Sequence, residues 1–129
     1  MALRFAAQYP AEVDGLCLLA PYLGSRIIAG EIATELAAHA DMAKWQSGSM
    51  DEDDDERRIW QYVTTLGASM APTRVFLGFG AGDRFADTQQ VLNRALPSER
   101  TTTGVIDGGH DWPIWRQLWD LFLDRCATR

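Results

Sequence analysis

Three short apolar runs, separated by stretches of helical periodicity, limit this chain to very few architectures. Residues 13–20 (VDGLCLLA) are almost uninterruptedly apolar, as a parallel strand with helices on both faces must be. Pro21-Tyr22-Leu23-Gly24 ends that run. Residues 74–80 (RVFLGFG) read as a second buried strand after Pro72, and residues 101–106 as a third, β-branched in five of its six positions. The order helix, strand, helical insert, strand, helix, strand, helix predicts an α/β fold of about three parallel strands joined by right-handed crossovers.

The helical segments carry their own signals. Residues 2–9 place Leu3, Ala6 and Ala7 at helical spacing and stop at Pro10. No Ser, Thr, Asp or Asn precedes them as a cap, so this helix reads as cut rather than started. Residues 25–71 form an interrupted helical insert, cap-like in its placement, with stripes at Ile28, Ile32 and Leu36 and at Ile59, Val63 and Leu66. Between the stripes lie Gln46-Ser47-Gly48-Ser49-Met50 and the acidic run 51–56. That run is expected to be a solvated loop whose last acids complement the dipole of the next helix, not a cation site. Further on, Asp87 and Gln90 have capping-box spacing ahead of Val91, Leu92 and Ala95, and Pro97 closes that helix. The closing helix carries Trp115, Leu118, Trp119 and Phe122 on one side, a stripe expected to pack into the core.

Composition excludes several function classes. A chain of 129 residues fits one domain, residues 1–129, and 47% hydrophobic with 23% charged residues is ordinary for a globular protein. No apolar stretch is long enough to span a membrane, and no signal-peptide pattern opens the chain, so a cytoplasmic protein is expected. The net charge is −6, and eleven of twelve basic residues are Arg spread without a stripe, which argues against nucleic acid as a partner. Cys17 and Cys126 have neither metal-ligand spacing nor disulfide density, so both are expected as buried thiols, and no cofactor or metal site is expected.

The residues that can carry chemistry lie just past the second and third strands. Asp83 follows the second and His110, in Gly108-Gly109-His110-Asp111-Trp112, follows the third. Open α/β sheets place their sites at such strand ends. In acyl transfer, a carboxylate orients an imidazole that takes and returns the nucleophile's proton, and these two residues have the order acid then histidine. Each also has a plainer reading, Asp83 as a turn residue beside Gly82 and His110 as a satisfied turn histidine. Asp87 is assigned to its helix cap, and Asp107 and Asp111 flank the histidine too closely to be its acid. His39 lies in the insert and is expected at the surface. Trp112 either lines an acyl or alcohol pocket or packs structurally.

Three segments in order, LRFAAQYPAEVDGLCLLAPYLG, GFGAGDRF and GGHDWPIWRQLWDLFL, resemble the C-terminal half of an esterase-like α/β-hydrolase, and the resemblance covers most of the chain. It implies that Asp83 and His110 are the catalytic acid and base and that the substrate is a small ester-like molecule. The family's nucleophile elbow, G-x-S-x-G between a strand and a helix, does not occur in residues 1–129 and is expected ahead of Met1. Ser69, in Gly67-Ala68-Ser69-Met70-Ala71, has the reversed context of helix before and strand after, and Ser25 lacks an elbow. An Asp nucleophile upstream, as in dehalogenase or epoxide-hydrolase relatives, fits these residues as well. The usual oxyanion donors are absent too, and one such donor is worth about 10²–10³ in rate. Two functions follow: an acyl hydrolase in full-length form with this chain alone inactive, or a non-catalytic half-domain that forms a homodimer through its exposed first strand.

Overall fold

The computed structural model describes residues 2–23, 26–39, 55–68 and 73–127. Helix α1 (Ala2–Gln8) gives way at Pro10, which has no N–H to continue the ladder, to a 3₁₀ turn, Pro10–Glu12. Strand β1 (Gly15–Leu19) follows, then α2 (Arg26–His39), α3 (Asp55–Ala68), β2 (Arg74–Gly80) and α4 (Ala86–Ala95). A second 3₁₀ turn, Ser98–Arg100, leads into β3 (Thr101–Ile106), and α5 (Trp112–Phe122) closes the chain with a π-helical turn, Leu123–Ala127. All three strands are parallel, in the order β1-β2-β3, as the alternation of elements predicts. None of the described helices is long and apolar enough to cross a membrane.

Strand alternation sorts the side chains into two unequal layers. Leu16, Leu18, Val75, Leu77 and Phe79 join Leu3 and Ala6 of α1, Ile28 and Ile32 of α2, Trp60 and Val63 of α3, and Leu92 of α4 in one buried cluster. Both helices within residues 25–71 therefore contribute directly to the main core. Arg57 of α3 also donates to both carboxylate oxygens of Glu31 on α2, each at 3.2 Å.

The opposite face of the sheet is covered by α5 alone among the described helices, and glycine makes that possible. Gly78 and Gly104 are register neighbours on β2 and β3. A Cβ at Gly78 would come within 2.9 Å of Leu118 Cδ2, and one at Gly104 would run into the end of Leu121. The two glycines thus form a trough into which α5 settles, with Phe76 and Phe122 in ring contact at 5.4 Å. This arrangement corrects the expected stripe on α5. The buried residues are Ile114 and Leu118, Trp115 and Phe122 are half-buried, and Trp119 is exposed. Contact is set by the position of the trough, which lies under Leu118 and Leu121 rather than under the indole of Trp119.

The first strand pairs with β2 and with no other strand among the described residues, which leaves it the exposed edge anticipated above, but it is less buried than its apolar composition suggests. Cys17 and Leu19, which share the face turned toward α5, are only half-buried, and Cys17 forms no disulfide. The side chain of Cys126 lies outside the described residues.

Leu118 is fully buried at the centre of the smaller layer. Leu118→Ala is expected to cost about 2–5 kcal/mol, the range for buried leucines. Urea unfolding followed by circular dichroism checks this, and a loss below about 1 kcal/mol would mean that α5 is not held by the trough.

Candidate catalytic site

Two loops at the C-terminal ends of β2 and β3 are tied to each other by their backbones. Ala81 N–H donates to the Ile106 carbonyl and Gly82 N–H to the Gly108 carbonyl, each at 2.8 Å. The approach is so close that a Cβ at Gly80 would collide with the Gly108 carbonyl oxygen. Gly108 itself has φ +141°, a conformation L side chains rarely adopt, and a Cβ there would strike Ile114. Gly108 and the glycine that ends β2, Gly80, are therefore required by contact, whereas a Cβ at Gly109 would have room.

Asp83 is fixed by its own turn. Its N–H donates to the Gly80 carbonyl at 3.0 Å, its carbonyl accepts from Ala86 N–H at 2.9 Å, and its Oδ1 accepts from Phe85 N–H at 2.8 Å. That last bond is an Asx turn, and it leads directly into α4. The expected capping box on Asp87 and Gln90 is not formed. Phe85 is the cap residue, without a side-chain bond, while Asp87 sits exposed in the first turn. Asp83 starts the helix instead: its carboxylate takes the N–H of Phe85 and its carbonyl that of Ala86.

With Oδ1 occupied, Oδ2 of Asp83 lies 2.7 Å from His110 Nδ1. The two residues singled out in the sequence are thus brought together. The carboxylate side chain is 0% exposed and the imidazole 21%. An ionised carboxylate only accepts, so in this contact Nδ1 is the donor, and in the neutral imidazole that tautomer makes Nε2 the ring's acceptor. Nε2 makes no hydrogen bond among the described residues. The acid end of the pair is sealed and the basic end faces outward.

Packing holds the ring in that orientation. Phe85 meets the imidazole at 5.2 Å between centroids and 86° between planes, and Trp115 meets it at 5.0 Å and 83°. Trp115 stands on the first turns of α5, whose start is set by Asp111: its side chain accepts from Ile114 N–H at 3.2 Å, with Pro113 in the first turn. Asp111 is therefore a helix cap, and Asp107 is exposed on the other side of the glycines.

Sequence reasoning did not assign Phe85 or Tyr22 to the site. Tyr22, just after β1, contacts Phe85 at 5.1 Å and 69°. Nothing in the composition signals these two, because their place depends on how the β1 and β2 loops converge. Ser25 and Ser69 lie outside the described residues, as do residues 51–54 of the acidic run and the side chain of His39. Glu56 stands in the first turn of α3. Among the described residues no group of three or more His, Cys, Asp or Glu side chains converges as a metal site.

No protein-family model matches this chain, and no curated protein or solved structure matches it. The chemistry of the site follows from its own geometry: a buried carboxylate, an oriented imidazole and an outward-facing base.

Replacing Asp83 by Asn keeps an oxygen for Phe85 N–H but turns an amide N–H toward Nδ1. Asp83→Asn is therefore expected to invert the His110 tautomer, with the proton moving to Nε2. The ¹⁵N shifts of the imidazole, assigned with a His110→Ala variant, report it directly. Unchanged shifts would show that Asp83 does not set the tautomer.

Proposed function

We propose that Asp83 and His110 form the acid–base pair of an acyl-transfer centre of the α/β-hydrolase type, acting on carboxylic esters or related acyl compounds. The observation that carries this reading is the 2.7 Å contact from a fully buried carboxylate to Nδ1 of a partly exposed imidazole, at the C-terminal ends of two neighbouring parallel strands. In this role His110 Nε2 takes the proton of a nucleophilic hydroxyl as its oxygen bonds to the acyl carbon. The imidazolium, held by Asp83, then gives that proton to the departing alkoxide as the carbon–oxygen bond breaks. Water repeats the sequence and releases the acid.

The nucleophile and the oxyanion donors are proposed to come from polypeptide outside residues 1–129, since no G-x-S-x-G occurs within them. A pair of this kind without them accelerates little, because a single oxyanion donor alone contributes about 10²–10³. The isolated chain is therefore expected to hydrolyse p-nitrophenyl butyrate no faster in the wild type than in His110→Ala. Joined to a segment bearing the elbow, it is expected to become active, with Asp83→Asn lowering kcat by about 10⁴-fold, as loss of the orienting acid does elsewhere. Turnover by the isolated chain that depends on His110 would defeat the placement of the nucleophile outside it. An in-frame G-x-S-x-G in the coding sequence ahead of the Met1 codon would support that placement.

A second reading, a homodimeric interaction module, is favoured by the edge position of β1. Asp14 carbonyl accepts from Arg74 N–H and Ala20 N–H donates to the Gly78 carbonyl, so even-numbered residues of β1 face β2. The backbone groups of Gly15 and Leu19 consequently point to the open side, and the exposed Phe5 lines the same depression as Gly15. In this reading the chain elutes as a dimer in size-exclusion chromatography with light scattering. A monomer at high concentration counts against it.

A further inference from the structure

We infer that the rings around His110 are a recognition collar for a neutral, planar aromatic group, so that the preferred substrates carry an aryl acyl or aryl alcohol moiety. The inference deepens the acyl-transfer reading and rests on it for the word substrate. Five rings follow one another in contact, Tyr22, Phe85, His110, Trp115 and Trp112, with centroid separations of 5.1, 5.2, 5.0 and 6.3 Å and interplanar angles of 69°, 86°, 83° and 85°. The histidine is the middle ring. Tyr22 and Trp112, the two ends, are 65% and 67% exposed and are the most exposed large hydrophobic residues described.

Scattered exposed aromatics are ordinary, but here the two most exposed ones end a run of ring contacts that has the proposed base at its middle. Both are mounted on fixed backbone. Trp112 opens α5 between the Asp111 cap and Pro113. Tyr22 follows Ala20, whose φ of 49° is a left-handed turn, and Pro21, whose carbonyl accepts from the buried Gln89 Nε2 at 3.1 Å. An edge-to-face series leaves ring faces and edges available to a further ring in the same geometry, which an aliphatic chain does not exploit. One face of Phe85 is already taken by the Arg84 guanidinium, 4.9 Å from the centroid, so a cationic ligand would meet a like charge there. A neutral aryl group suits the collar better than an ammonium.

The test needs binding, not turnover. The 129-residue chain is titrated with N-(1-naphthyl)acetamide and, separately, with octanamide, two neutral amides of comparable apolar size, while indole N–H signals are followed by NMR. The naphthyl amide is expected to bind about tenfold tighter and to shift the Trp112 and Trp115 signals. Trp112→Ala and Tyr22→Ala, both at exposed positions, are each expected to weaken it about fivefold with little change for octanamide, and Trp112→Phe to retain most of the affinity. Equal affinities, shifts confined to other tryptophans, or no binding of either amide would overturn the collar. So would self-association of the chain that is lost in Trp112→Ala without any amide binding, since the collar would then be an interface between copies. Failure of the acyl-transfer reading is seen separately, as hydrolysis by the elbow-bearing protein that does not respond to His110→Ala.

Discussion

Everything at the strand ends depends on how closely the turn after β2 approaches the loop after β3. Two backbone hydrogen bonds, Ala81 to Ile106 and Gly82 to Gly108, bring the loops together with no side chain between them. Only glycine at 80 and 108 permits that distance, one because a carbonyl oxygen occupies the place of its Cβ, the other because of both its φ and Ile114. Once the loops are joined, Asp83 and His110 have little freedom left. The carboxylate is held from one side by Phe85 N–H, and the imidazole is wedged between two rings. A hydrogen bond of 2.7 Å is then formed by groups already in place, and little ordering entropy is lost in making it.

The sheet that supports these loops is asymmetric. One face is buried under α1 to α4 in a continuous cluster, while the other meets only α5 through the trough of Gly78 and Gly104. The small layer has a functional consequence, because α5 is the element that carries Trp115 to the imidazole and begins directly after His110. Packing of Leu118 in the trough and orientation of His110 are therefore linked through one helix. The Asp111 cap connects the two, since it fixes where the helix starts relative to the histidine.

Much of this was legible in the residues. The apolar runs and their spacing specify three parallel strands, since strand and helix periodicities differ and the runs are too short for buried helices. The pairing of Asp83 with His110 was legible because both follow strands directly, and neighbouring parallel strands bring their C-terminal ends together. What failed depended on quantities that do not reside in a local pattern. The Trp115, Leu118, Trp119 and Phe122 stripe is a correct helical face, but the buried arc is rotated from it by the position of two glycines on other strands. Asp87 has the right spacing for a cap and loses to Asp83, whose Asx turn reaches the helix start first. Strand β1 reads as covered on both faces because its composition is apolar, yet Cys17 and Leu19 on the side of α5 are only half-buried, and composition carries no information about how far one helix reaches across a sheet.

The residues missed altogether, Tyr22 and Phe85, lie in different loops that meet only in three dimensions. Their relation to His110 changes what the site can be. An Asp–His pair is a generic device that orients a proton acceptor, and it carries no specificity of its own. Specificity needs surface placed rigidly beside the reacting atom, and in the proposed reading the rings of Phe85 and Trp115 in contact with His110 begin that surface. Tyr22 is held by a strained turn and a buried glutamine, Trp112 by a capped helix start, so under the proposed recognition neither ring would need ordering by a ligand. A left-handed alanine costs about 1–3 kcal/mol, and such strain persists where the surrounding structure over-determines it. Ala20 sits at such a place, between the end of β1 and the ring that begins the collar.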